Sequence, residues 1–465
     1  MCDMFRRCFW SIALLSFCTG SAATETPEAS AYRSAAPRKS KSKRASSAFG
    51  SHRKPPPATL LQKGREEHHH EHHHEHLHRL AAKSANCSEP YSAENRLSQA
   101  VGCHCTPFTR SDESPRILVT GGAGFVGSHL IPRLRSKFPG ATIKVVDNLW
   151  RGAVENLVGD DGVPSVDFVK DFCAEDLTDE AVSLRVTKNA QIVFHLADIV
   201  AGVDFVFKHQ EFVYQQNIRI NTHVAKAAKA NGVRTFLYTG TACSFPKNLQ
   251  ESYSTTRIPE NKTYPANPES AYGWSKLMGE YELQLAKVPG VFDVGILRFH
   301  NLFGPGMIYD ANRSQALPSL IRKGIEYPKE DFVVWGTGKQ YRDFLYIDDA
   351  VEALMMMLDR GMNKGAIQVG TSEPTTLHDA AMAVKALVHE YVGRDVNPTF
   401  DTSKPEGDKG RVAEVTRARE ILQWRAKMPF EDGLRRTMEW ILRDMHVKFE
   451  SRVPASSRRS GLRRW

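Results

Sequence analysis

The chain has 465 residues, more than one ordinary domain, and its 41% hydrophobic content supports a large core. Its net charge of +9 is weighted toward the ends. Lys39, Lys41, Lys43, Arg44, Arg53 and Lys54 form one basic cluster, and Arg458, Arg459, Arg463 and Arg464 another. Solvated tails account for such runs. No base-stacking aromatics lie among them, so nucleic-acid binding is not expected.

The first residues read as a signal peptide over 1–23. Arg6 and Arg7 give the positive start, Phe9 to Phe17 the apolar stretch, and Ser21-Ala22-Ala23 the small residues for cleavage. The apolar stretch is too short to span a bilayer comfortably, so stable membrane insertion is not expected. Residues 24–111 form a basic, His-rich leader expected to be disordered. Its first part also has the composition of an organelle transit peptide, which leaves a Golgi or ER lumen and a complex plastid both open as addresses. The histidine run from His68 to His78 reads as a solvated linker. Cys87, Cys103, His104 and Cys105 lack a second matching pair, so neither a metal site nor a disulfide is expected of them. Asn86, Asn261 and Asn312 head glycosylation acceptor triplets, which matter only in a lumen.

The folded part is expected to begin near residue 112 and to be organised around R-I-L-V-T-G-G-A-G-F-V-G at 116–127. Ile117 to Val119 predicts a buried parallel strand, and Ser128 to Leu134 opens a helix. Between them lie Gly121, Gly124 and Gly127. The first lets the chain turn off the strand, the second admits a pyrophosphate close to the backbone, and the third lets the helix pack near the sheet. The free N–H groups of the helix start, with Phe125 and Val126, face the same anion. A second strand, Thr142 to Val146, ends in Asp147, about 20 residues on, where a carboxylate meets a ribose 2′-hydroxyl. The same carboxylate would repel a 2′-phosphate, so NAD is expected rather than NADP.

Strands and helices then alternate, as a doubly wound sheet requires. Asn148 lies in the loop after Asp147. A third strand is expected near Val166 to Val169, with Asp171 or Asp176 at the adenine ring, and a helix at about 178–187. A fourth strand, Gln191 to His195, runs into Leu196 and Ala197. A long helix over about 209–231 carries Asn217, and a fifth strand, Thr235 to Thr239, leads to Thr241. The sixth covers Val294 to Arg298. The expected architecture is α/β, a Rossmann doubly wound parallel sheet with a smaller, mostly helical C-terminal lobe. The dinucleotide-binding part spans 112–300, with 337–355 returning to it near Phe344 to Asp349. The lobe takes 301–336 and 356–450, and 451–465 is a basic tail.

Tyr272 and Lys276 stand one helical turn apart and share a face. A nearby ammonium and the nicotinamide charge would lower the phenol's pKa and let Tyr272 accept a proton from a sugar hydroxyl, with Thr241 beside the same oxygen.

T-G-G-A-G-F-V-G, the Thr241/Tyr272/Lys276 set and R-F-H-N-L-F-G-P together resemble the extended short-chain dehydrogenase/reductases that modify nucleotide sugars, over about 116–445. Within that superfamily L-A-D-I-V-A-G-V-D-F, T-A-C-S-F-P, Y-P-A-N-P-E-S-A-Y-G-W-S-K-L, W-G-T-G-K-Q-Y-R-D-F-L-Y-I-D-D and P-E-G-D-K-G-R are most similar to the GDP-mannose 3,5-epimerase family. The resemblance implies an NAD-dependent epimerase acting through a transient 4-ketone. It makes Cys243 a proton-transfer base, Asn301, Arg342 and Arg411 substrate-binding residues, and the molecule a homodimer through the helices of Asn217 and Tyr272. Other readings are a dehydratase, a decarboxylase, a GDP-fucose synthase-like reductase, and a non-catalytic NAD(H)-binding scaffold. The chain departs from the epimerases nine residues after Asn301. It has Asp310 where they carry a lysine, leaving Tyr309, Asp310 and His300 as candidates for the opposing acid.

Overall fold

The computed structural model describes residues 106–109, 114–159, 161–311 and 313–451. The signal peptide, the histidine run, Cys87, Cys103, His104, Cys105, Asn86, Asn312 and both basic clusters lie outside the described residues.

Seven parallel strands form the central sheet: β1 (Arg116–Thr120), β2 (Thr142–Val146), β3 (Phe172–Cys173), β4 (Ile192–His195), β5 (Thr235–Thr241), β6 (Asp293–Phe299) and β7 (Ala366–Val369). Their order is β7-β6-β5-β4-β1-β2-β3, and Ile117 of β1 is flanked by Ile143 of β2 and Ile192 of β4. The chain winds outward in one direction from β1 to β3 and in the other from β4 to β7. The crevice at the carboxyl ends of β1 and β4 is therefore the topological switch point, where such sheets bind their ligands.

Burial on both faces explains why the strands read as continuous apolar runs. Ile117 and Val119 face a core shared with Leu130, Ile131 and Leu134 of helix α1 (Phe125–Lys137). Leu118 faces the opposite core, with Val193, Phe236 and Val224. That second layer holds α2 (Glu180–Thr187), α3 (Val203–Lys208), α4 (Gln210–Ala230) and α5 (Ala271–Ala286). Helix starts follow their capping residues: the Asp179 carboxylate accepts from Ala181 N at 2.8 Å, and the Ser270 hydroxyl from Gly273 N at 3.2 Å.

The third strand is not where the apolar pattern put it. Val166 and Phe168 are buried, but the Asp167 carboxylate accepts from the backbone N–H groups of Val169 and Lys170 and closes a turn there. Pairing with β2 begins only at Phe172. The return to the sheet also differs. Phe344–Tyr346 pairs with Asn301–Phe303 in a separate two-stranded ladder, and the seventh strand is Ala366–Val369 beside β6. The intervening residues form helices α6 (Ala316–Glu326) and α7 (Ile347–Met356), with α8 (Leu377–Val392) and α9 (Phe430–Asp444) following β7. Short ladders of two or three residues stitch these helices together, among them Val333–Trp335 with Thr399–Asp401. Leu434, Met438, Ile441 and Leu442 of α9 are buried along one face, each worth about 1.5–3 kcal/mol. Among the described residues no helix is long and apolar enough to cross a membrane.

Candidate active site

The glycine loop has the expected cradle. Gly121 sits at φ +67°, and a Cβ there would lie 2.8 Å from Ala197 N. At Gly127 a Cβ would lie 2.4 Å from the Cα of Gly122. Gly124 begins α1 with no side-chain cap, so N–H groups of the first turn stay open to an anion. Thr120 Oγ1 accepts from the backbone N–H groups of Leu196 and Ala197 at 3.2 and 3.3 Å, which holds the two loops side by side. Phe125 and Val126 open α1 and are half-buried.

Asp147 is buried at the end of β2. It accepts from Ala123 N at 3.1 Å and Leu149 N at 2.9 Å. Burial pushes its carboxyl up to about 6, and those backbone N–H groups, with that of Gly124, oppose the shift. Asn148 donates to the Asp176 carboxylate at 3.2 Å. Asp171 does not join this group. It precedes β3, on the side of Lys144, and burial raises its carboxyl while Lys144 opposes the rise. Of the two acids considered for the adenine end, Asp176 is therefore the one at the carboxyl end of the sheet. The later start of β3 is the reason.

Thr241 ends β5 and its Oγ1 accepts from Cys243 N at 3.2 Å. The Cys243 thiol is free, and Arg411 donates to its Sγ at 3.1 Å. Arg411 also donates to Gln250 Oε1 at 2.6 Å and is ion-paired with Asp408. Arg342 donates to the carbonyl oxygens of Asp408 and Glu406 at 2.6 and 3.1 Å. Burial, with Arg411 nearby, pulls its guanidinium down to about 9. Both arginines thus stand beside the thiol.

The Tyr272 phenol is half-buried in the first turn of α5. Burial pushes its pKa well up, Asp198 and Cys243 push it further, and Arg151 and Thr241 oppose them. The Lys276 ammonium forms an ion pair with Asp198. Sequence reasoning passed over both Asp198 and Arg151. Asp198 directly follows Leu196-Ala197 in the loop after β4. Arg151, four residues beyond Asp147, donates to Val200 O at 2.9 Å across the crevice. Burial pulls its guanidinium down to about 10, with the Tyr272 charge acting against that shift. A cation and an anion just past two strand ends were the available signals.

The three candidates for the opposing acid are separated. Tyr309 donates to Asp444 and packs edge-on against Trp440 of α9 at 5.9 Å. Asp310 accepts from Arg313 Nε at 3.0 Å. His300 is buried, with Nε2 at 3.0 Å from Gln368 Oε1 and Nδ1 without a partner among the described residues. Burial lowers its pKa, Asp343 opposes the fall, and Arg411 adds to it. The Asn301 Oδ1 is likewise buried and unpartnered. Among the described residues no cluster of His, Cys, Asp and Glu could hold a metal ion.

This cradle, with a carboxylate at the end of β2, fits a dinucleotide. A sequence profile described as the NAD dependent epimerase/dehydratase family matches residues 117–370. GDP-mannose 3,5-epimerase 1 of Oryza sativa subsp. indica is 30% identical over 331 residues, covering 71% of this chain and 82% of that one. GDP-L-fucose synthase 1 of Arabidopsis thaliana is 28% identical over 357 residues, covering 75% and 99%. The crystal structure of UDP-glucose 4-epimerase from Thermotoga maritima with UDP-glucose superposes with a TM-score of 0.61 at 25% identity, covering 71% and 99%. The chain belongs to the NAD dependent epimerase/dehydratase family, and NAD is its cofactor.

Proposed function

We propose that the chain is a nucleotide-sugar epimerase of the GDP-mannose 3,5-epimerase kind, working through a transient ketone at C4. The observation that carries this reading is Cys243, a free thiol two residues beyond Thr241, hydrogen-bonded by Arg411 and electrostatically coupled to Tyr272. The chemistry that NAD supplies when bound is reversible hydride acceptance from C4 of the sugar; the loop from Gly121 to Gly127, with Asp147, Asn148, Leu196 and Ala197, would hold it.

Tyr272 takes the proton of the C4 hydroxyl and later returns it, with Thr241 steadying the same oxygen. A ketone at C4 acidifies the protons on C3 and C5. The Cys243 thiolate, kept against the Arg411 guanidinium, removes one of them. Of the three groups weighed for the opposite proton transfer, His300 is the one with a nitrogen lacking a partner among the described residues, and we assign the transfer to it, the imidazole taking up a solvent proton at Nδ1 before giving it to the carbanion. Arg342 and Arg411 hold the diphosphate, work that suits guanidinium groups because they bond oxyanions in pairs. Asn301 Oδ1 accepts from a sugar hydroxyl.

One observation favours a sibling reaction. Asp310 occupies the position of the epimerases' lysine and is engaged by Arg313. A dehydratase, decarboxylase or GDP-fucose synthase-like reductase would use the same Thr241/Tyr272/Lys276 set without that lysine. A non-catalytic NAD(H)-binding scaffold would have no use for the set. Incubating the full chain with GDP-mannose, a GDP-4-keto-6-deoxy sugar plus reduced cofactor, and UDP-glucuronate, then reading products by NMR, separates these. Inverted centres on GDP-mannose support the first reading. Loss of water or carbon dioxide, or net reduction, replaces it with the second, and no turnover of any substrate with the third.

The molecule is proposed to dimerise through α4 and α5. Their outward side chains Tyr214, Tyr281 and Leu285 are exposed, and a cavity of about 520 Å³ lined by Tyr214, Trp274 and Met278 opens there. A secretory or plastid-lumen address is proposed from the leader.

A further inference from the structure

Lys276 and Asp198 form an ion pair whose side chains are only 3% and 5% exposed. The pair sits in a continuous polar seam beneath the crevice. Thr120 Oγ1, at the end of β1, lies 2.7 Å from His195 Nδ1, and His195 Nε2 lies 3.0 Å from Asn221 Oδ1. Asn221 Nδ2 in turn donates to Asp198 Oδ1 at 3.5 Å. On its other side the Lys276 ammonium lies 4.4 Å from the centre of the Tyr238 ring, a favourable seat for a cation. The ammonium is therefore engaged from two directions, neither of them the phenol of Tyr272, although both residues stand on one face of α5.

Removing one partner from a buried pair leaves an uncompensated charge, which must find another anion or lose its own charge. The charged groups acting on Tyr272 are Asp198 from the loop after β4, Cys243 from the segment after β5, and Arg151 from the loop after β2. Lys276 comes from its own helix. Beyond the pair, the Lys276 charge bears on neutral His195, which burial holds down at about 3. The Tyr238 phenol is held neutral by burial, with Asp198 and Glu280 adding to the effect. Neither can replace Asp198 as a counter-ion.

We propose that Asp198 is a positioning residue: it draws the Lys276 ammonium into a buried ion pair and keeps that charge away from the Tyr272 phenol until the pair opens. The proposal rests on the reading of Tyr272 as the proton-transfer group, and deepens it. With the pair closed, Tyr272 faces the Asp198 carboxylate while the Lys276 charge is held in the pair, and it stays a phenol. With the pair open, the free ammonium one helical turn away favours the phenolate. The proton lost from Tyr272 then goes to solvent, and no other bond changes.

The test needs neither sugar nor turnover, so its failure is distinct from failure of the epimerase reading. The full chain, stripped of nucleotide, is titrated by ultraviolet difference absorption of phenolate, with Tyr272→Phe as the reference. The Asp198→Asn chain should show on the order of tenfold more Tyr272 phenolate at a given pH than wild type. Asp198→Glu, which keeps the anion, should titrate like wild type, and Asp198→Asn/Lys276→Met should lose the gain. Asp198→Ser serves the same comparison should Asn disturb the fold, as read by circular dichroism. The proposal is overturned if the neutral variants titrate like wild type, or if they keep their gain once the lysine is gone.

Discussion

Arg411 donates a hydrogen bond to Cys243 Sγ at 3.1 Å from a side chain that is itself ion-paired with Asp408. A guanidinium fixed in this way holds the Cys243 sulfur at one place in the site. Arg411→Gln should therefore change the rate at which iodoacetamide alkylates Cys243, whereas Arg411→Lys, which keeps a cationic donor, should keep most of the wild-type rate. Mass spectrometry of the Cys243 peptide gives the answer, and equal rates in all three chains would remove Arg411 from this role.

Tyr272 is the group on which oxidation of the sugar depends. Tyr272→Phe keeps the ring and loses only the hydroxyl, and should lower turnover by about 10²–10⁴ while bound NAD is retained. Turnover by product NMR and cofactor content by absorbance check the two halves separately.

The Asp147 carboxyl, raised by burial from 3.8 to about 6, gives two opposite pH trends. Protonation favours the cofactor-free fold. The contribution of this group to stability is best below about pH 4 and declines as pH rises through 6, by at most about 3 kcal/mol. NAD binding runs the other way, because the ionised form accepts from ribose hydroxyls. Affinity should fall as pH drops through 6, and Asp147→Asn should bind about 10-fold more weakly with that pH dependence gone. Calorimetric titration from pH 5 to 8 checks both.

Glu280 and Arg298 are a second buried pair, tying α5 to β6 with donors Nε and Nη2 of the arginine at 2.6–3.0 Å. Glu280→Ala leaves the guanidinium uncompensated and should destabilise the fold by about 3–5 kcal/mol, measured by chemical denaturation.

The proposed dimer face predicts that Leu285→Asp together with Tyr281→Asp yields a monomer in sedimentation velocity. The secondary structure by circular dichroism should be unchanged, because both side chains are exposed already.

Much of the fold was legible because parallel strands buried on both faces leave unbroken apolar runs, as at Ile117 to Val119. The glycine spacing fixed the first turn for a steric reason that the close approaches at Gly121 and Gly127 bear out. Where the reading went astray, local chemistry had overridden the apolar pattern. Asp167 closes a turn under two buried residues and delays β3. The segment at Phe344 pairs with Asn301–Phe303, a choice between partners distant in sequence. In the site, the Tyr272 and Lys276 spacing identified a shared helical face but not the competitor for the ammonium. Asp198 lies 78 residues from Lys276, and nothing in a linear pattern joins them. The same holds for Arg411 and Cys243, which sequence resemblance marked separately and the fold brings into contact.

The proposed mechanism turns on a ketone at C4 that lets Cys243 exchange a neighbouring sugar proton. GDP-mannose recovered after incubation with the full chain in deuterated water, read by mass spectrometry and NMR, is the decisive sample. Wild type should place solvent deuterium at C3 and C5, and Cys243→Ala, which should still hold NAD, should place none. Deuterium incorporated equally by the Cys243→Ala chain, or a sugar turned over by wild type with no label at either carbon, would contradict the mechanism.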